Sequence, residues 1–172
     1  MTNRPAPVLV FTWGNPSRGD DALGPVLYDR LLARQSAGDL PGVDLLTDFQ
    51  LQIEHVLDLR ERDRVVFVDA SVDVSAPFDF QPLQAERDVS FTTHAMSPGA
   101  ILSVFAQVEQ HSPPAAFLLS IRAYEFALGQ PLSADARRHL DAACEFIARL
   151  LTENDIHDWH AVAAEKIFPA YS

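Results

Sequence analysis

Three polar side chains stand where an apolar segment of strand character gives way to a turn. Asp21 is the second of two adjacent carboxylates in GNPSRGDDALG, just after the run VLVFTW. Asp69 directly follows VVFV, and His94 lies in TTHAMSPGA after a strand-like stretch at 88–93. Two carboxylates and one imidazole form a donor set for a borderline divalent cation such as Ni²⁺ or Zn²⁺. Three protein ligands leave positions open for water or a substrate group. Each residue also has a plainer role. An Asp at a helix start caps the helix and complements its dipole, a role that suits Asp20 and frees Asp21 to face a cleft. An Asp closing a strand can turn the chain through its own backbone, and a lone His is commonly structural. The three residues are too far apart in sequence for a local spacing motif, so their chemistry alone defines a candidate metal site.

Other chemistries are poorly served. The first loop has neither G-x-G-x-x-G nor the lysine of a P-loop, and Asp20 and Asp21 repel phosphate. Ser71 and Ser97 lack a G-x-S-x-G elbow, and there is no H-E-x-x-H. Cys144, the single cysteine, falls on a helical core face with no base indicated nearby, which suits a small hydrophobe. His55, beside Glu54, could line the same cleft, but a surface or part-buried polar role is the commoner one. His111, His139, His157 and His160 show no partner pattern.

The elements that must position these residues follow from hydrophobic periodicity. Runs at 8–13, 43–47, 64–70 and 116–121 predict strands, as does 88–93. Helical spacing of Leu23, Val26, Leu27 and Leu31 predicts a helix over 22–34, and Leu51, Val56 and Leu59 predict a second over 50–60. Ser97–Pro98 reads as a cap and first turn for a helix carrying Ile101, Leu102, Phe105 and Val108. Ser133 caps a last helix with Leu140, Cys144, Ile147 and Leu151 on its core face. Alternation of this kind predicts an α/β fold with a mostly parallel sheet and helices on both faces. Ligands of such sheets bind outside the carboxyl ends of the strands, the edge at which Asp21, Asp69 and His94 all fall.

The chain has 172 residues with 48% hydrophobic and 22% charged, enough for one domain that folds without metal or disulfides. Residues 1–152 are expected to form a single domain, with 153–172 a tail that is either a docked helix or flexible. A net charge of −11 argues against nucleic acid and anionic membranes and permits a cation. No signal-peptide pattern and no apolar run of membrane-spanning length stand in the sequence, so a cytoplasmic location is expected.

GNPSRGDDALGP at 14–25, RVVFVDAS at 64–71, THAMSPGAIL at 93–102 and IRAYEFALGQPLS at 121–133 together resemble the hydrogenase maturation endopeptidases. The resemblance runs to about Leu151. It implies a three-layer α/β/α sandwich with a twisted, mostly parallel central sheet. It further implies an endopeptidase that removes the C-terminal extension of a nickel-loaded [NiFe] hydrogenase large-subunit precursor. By motif, the catalytic and metal-contacting positions are Asp21, Asp69 and His94, with nickel contributed by the precursor and no organic cofactor. Departures include Pro16 or Ser17 where many relatives have Leu, and Ala22 where many have Gly. The stretch TDFQLQIEHVLDLRERD resembles the branch serving NAD-linked soluble hydrogenases, and a monomer is expected. Two other readings stay open: a non-catalytic nickel chaperone, and a phosphate-dependent nucleoside enzyme on a similar sheet.

Overall fold

Apolar runs rich in β-branched and aromatic residues make strands that can be covered on both faces. The computed structural model describes residues 4–87, 95–152 and 156–165. It has five strands in one sheet: β1 (Val8–Trp13), β2 (Val43–Asp48), β3 (Arg64–Ser71), β4 (Phe78–Leu83) and β5 (Ala115–Arg122). Their order is β2-β1-β3-β5-β4, and only β4 runs antiparallel to its neighbour. Sequence periodicity passes over β4, because Pro82 interrupts the run FDFQPL. An edge strand accommodates a proline that a central strand would reject. The strand expected at 88–93 lies outside the described residues.

Among the described residues four α-helices complete the layers: α1 (Leu23–Ser36), α2 (Pro98–Glu109), α3 (Ala134–Thr152) and α4 (Ile156–Glu165). Side chains alternate across each strand, so the sheet feeds two separate cores. Val10, Val66, Val68 and Leu119 join Leu27, Leu31, Leu140 and Ile147 on one face. Leu9, Phe11, Val65 and Phe67 join Val56, Ile101 and Phe105 on the other. This is the three-layer arrangement expected from the sequence. The expected helix at 50–60 is instead a 3-10 helix, Ile53–Leu59, which buries Val56 and Leu59, with Leu51 buried just before it. Ser97 caps α2 by accepting from the Ala100 amide at 3.1 Å, although Val108 is exposed rather than in the core. No helix among the described residues is long and apolar enough to cross a membrane.

The sheet order locates the cleft. From β1 the chain moves to β2 on one side, then crosses to β3 on the other. Loops leaving β1 and β3 therefore diverge, the arrangement at which open α/β sheets form a ligand-binding crevice outside the strands' carboxyl ends. Asp21 lies in the loop after β1, and Asp69 lies near the end of β3.

Helix α4 packs against β4. Trp159 is 1% exposed, meets Phe117 edge-on at 5.5 Å, and lies under the Arg64 guanidinium at 4.8 Å. An indole buried so fully joins the C-terminal helix to the main core. Trp159→Ala is expected to cost about 3–5 kcal/mol, measured as a lowered denaturation midpoint with unchanged denaturant slope.

Candidate functional site

The loop after β1 is shaped by its own sequence. Gly14 has φ of +144°, and a Cβ there would lie 2.0 Å from the Asp21 carbonyl oxygen, so only glycine lets the two ends of the loop meet. The Asn15 amide donates to Asp21 Oδ2 at 2.8 Å, and Asn15 Oδ1 accepts from the Ser17 amide at 2.9 Å. Arg18 N–H donates to the Asn15 carbonyl, and Asp21 N–H donates to that of Arg18. These bonds fold 15–21 into a tight turn that ends in a short 3-10 turn, Gly19–Ala22, running into α1. The α1 start is thus one residue later than periodicity alone indicates.

Asp20 departs from expectation. It does not cap the helix that follows it. Its side chain is fully buried, and it accepts from Tyr124 N–H (2.8 Å), Glu125 N–H (3.1 Å), Ser133 N–H (2.7 Å) and the Ser133 hydroxyl (2.9 Å). Burial alone pushes this carboxyl up, but the bonds from Ser133, Tyr124 and Glu125 outweigh it and hold it below its ordinary value. Backbone bonds reinforce the link: Gly19 N–H to Gln130 O at 3.0 Å, Asp20 N–H to Glu125 O at 2.7 Å, and Gly129 N–H to Ser17 O at 2.7 Å. Gly19 has φ of +53°, and a Cβ there would lie 2.5 Å from the Glu125 carbonyl. All these partners lie more than a hundred residues downstream, where no local sequence signal could reveal them.

Asp69 is part-buried near the carboxyl end of β3. Desolvation pushes its pKa up to about 7, the Ala70 amide opposes that rise, and the negative charge of Asp21 adds to it. The loop after β1 and the end of β3 thus bring two carboxylates into electrostatic contact. A carboxyl that titrates near neutrality beside a second carboxylate is suited to proton transfer, and the pair is equally suited to a divalent cation that would relieve their repulsion. His94 lies outside the described residues. The described chain resumes at Ala95, and Met96 N–H donates to Leu51 O at 3.0 Å. Among the described residues, no three His, Cys, Asp or Glu side chains are gathered as a metal-holding group.

Next to the crevice, His55 is fully engaged. Its Nδ1 accepts from the Gln52 amide at 2.8 Å, which leaves the ring proton on Nε2 to donate to Asp48 Oδ2 at 3.1 Å. Its ring stands edge-on to Phe11 at 4.6 Å. Both nitrogens are used, so His55 closes the start of the 3-10 helix and presents no free ligand.

The fold is similar to that of solved hydrogenase maturation proteases. The structure is similar to the [NiFe] hydrogenase maturation protease HycI from Thermococcus kodakarensis KOD1, with TM-score 0.66, 21% identity, and coverage of 88% of this chain and 96% of that one. It is similar to the hydrogenase maturating endopeptidase HybD from E. coli, with TM-score 0.66, 18% identity, and coverage of 85% and 92%. It is also similar to a hydrogenase 2 maturation peptidase from Thaumarchaeota archaeon SCGC_AB-539-E09, with TM-score 0.58, 23% identity, and coverage of 86% and 99%. No protein-family model and no curated protein sequence matches the chain.

Asp69 has a consequence for stability. Its folded carboxyl binds a proton more tightly than the unfolded one, whose pKa is 3.8. Its contribution is therefore fully favourable below 3.8 and is lost as pH rises through about 7. The full loss is about 4 kcal/mol, at 1.36 kcal/mol per pKa unit. Asp69→Asn is expected to stabilise the protein at pH 8, with the gain shrinking by roughly 3 kcal/mol at pH 5. Denaturant unfolding of both proteins at the two pH values measures this, and a pH-independent difference would show that Asp69 titrates normally.

Proposed function

We propose that this chain is an endopeptidase that removes the C-terminal extension of a nickel-loaded [NiFe] hydrogenase large-subunit precursor. One observation carries the reading: the Asp21–Asp69 pair, with Asp69 raised to about 7, at the β1/β3 crevice of a maturation-protease fold. Nickel enters as part of the substrate, already held by the precursor. Asp21, Asp69 and His94 contact it, so the crevice accepts only a precursor whose metal has been inserted. Contact with the ion also sets the scissile peptide beside the carboxylates. Asp69 is placed to take a proton from the attacking water and return it to the departing amine. The bound cation stabilises the tetrahedral oxyanion. Water supplies oxygen to the new carboxylate and hydrogen to the new amine, so the reaction needs no organic cofactor.

The proposal extends to a cytoplasmic monomer of the branch serving NAD-linked soluble hydrogenases. A single cysteine suits a reducing compartment, and the TDFQLQIEHVLDLRERD stretch supports the branch. The net charge of −11 favours a cationic partner over nucleic acid.

Incubation with a nickel-loaded precursor, followed by mass measurement, tests the reading. Two fragments whose masses sum to the precursor plus one water are expected, and metal-free precursor should remain intact. Asp21→Ala, Asp69→Ala and His94→Ala should each slow cleavage roughly 100-fold or more while the variants stay folded. Tight binding of the loaded precursor with no cleavage would identify a nickel chaperone instead. Binding of phosphate or a nucleoside in place of the precursor would favour the nucleoside-enzyme alternative.

A further inference from the structure

We propose that Asp20 is a positioning residue for the catalytic site, acting with Ser133 to fix the carboxylate of Asp21. The inference rests on the endopeptidase reading above and adds to it a residue outside the metal-contacting set. Asp20 is adjacent to Asp21 in the chain, so whatever fixes one backbone constrains the other. Its carboxylate has no solvent exposure and is bonded to the segment joining β5 to α3. Both of its oxygens are engaged there, Oδ1 by Ser133 N–H and Oδ2 by Tyr124 N–H, Glu125 N–H and the Ser133 hydroxyl.

Ser133 links this cluster to a rigid element. Its hydroxyl also accepts from the Ala136 amide at 3.3 Å as the cap of α3. The orientation of the first loop is thus referred to the longest helix of the fold through a charged, buried group. Charge-assisted bonds of this kind are short and directional. A neutral side chain of similar shape would fill the space but hold the loop less firmly. At the other end of the turn, the Asn15 amide bonded to Asp21 Oδ2 is a built-in reporter of where that carboxylate stands.

The role predicts an effect on turnover more than on substrate affinity, since misplacing a catalytic group by a fraction of an ångström lowers kcat sharply. The test uses Asp20→Asn, Ser133→Ala and the conservative Ser133→Thr in the full chain. Cleavage of nickel-loaded precursor gives kcat and KM. Hydrogen exchange at the Asn15 amide is compared with that at Leu119, a buried β5 residue that reports general stability. For Asp20→Asn, kcat should fall about tenfold or more with KM within about threefold. Exchange at Asn15 should accelerate about tenfold more than at Leu119. Ser133→Ala should move both readouts in the same direction, and Ser133→Thr should restore them.

Should Asp20→Asn not fold at the assay temperature, Ser133→Ala decides through the same two readouts. Folded variants whose Asn15 exchange changes no more than that of Leu119 would overturn the proposal. A fall in kcat without movement at Asn15 overturns it as well, because the loss would not pass through Asp21. If wild-type protein cleaves no precursor, the endopeptidase reading fails, and the Asn15 amide alone decides whether Asp20 positions Asp21.

Discussion

A buried carboxylate holds together two loops that are distant in sequence. Asp20 meets Tyr124, Glu125 and Ser133 across separations of 104 to 113 residues. An ionised group at zero exposure is tolerable only when its lone pairs are met by donors, and here the donors come from the segment that leads into α3. The first loop cannot shift without exposing that charge to an apolar surround. Gly14 and Gly19 serve the same constraint from the backbone side, since any side chain at either would strike a carbonyl that the loop must approach. The turn that presents Asp21 is thus over-determined, as a site that depends on geometry requires.

Asp69 shows the opposite condition. Its carboxyl is desolvated, has one backbone donor, and faces another carboxylate. The protein tolerates at neutral pH a group that would be more comfortable protonated. Pairs whose environments separate their proton affinities are how one fold carries out acid and base chemistry in water at pH 7. A bound cation would convert the same repulsion into attraction.

Much of this was legible in the sequence where the determinants are local. The strands at 8–13 and 64–70, the Ser97 and Ser133 caps and the core faces of α1 and α3 follow from periodicity and cap chemistry within a few residues. The positions of Asp21 and Asp69 at the carboxyl edge follow from strand ends. Elements set by distant partners were hidden. β4 exists because β5 offers it an edge, and Pro82 masks its pattern. Residues 53–59 wind as a 3-10 helix, closed at its start by the bonds between His55 and Gln52. Asp20 resembles a local helix cap until the segment around 124–133 folds against it.

The long span of the Asp20 cluster bears on the order of events during synthesis. Contacts between distant segments form late, because the intervening chain must first be closed into a loop. A ribosome-bound chain that has exposed β1, α1 and β3 possesses both Asp21 and Asp69 but lacks Tyr124, Glu125 and Ser133. The donors that anchor the first loop emerge only with β5 and the start of α3. A site assembled this way stays incomplete on the nascent chain and matures only when the domain is nearly whole.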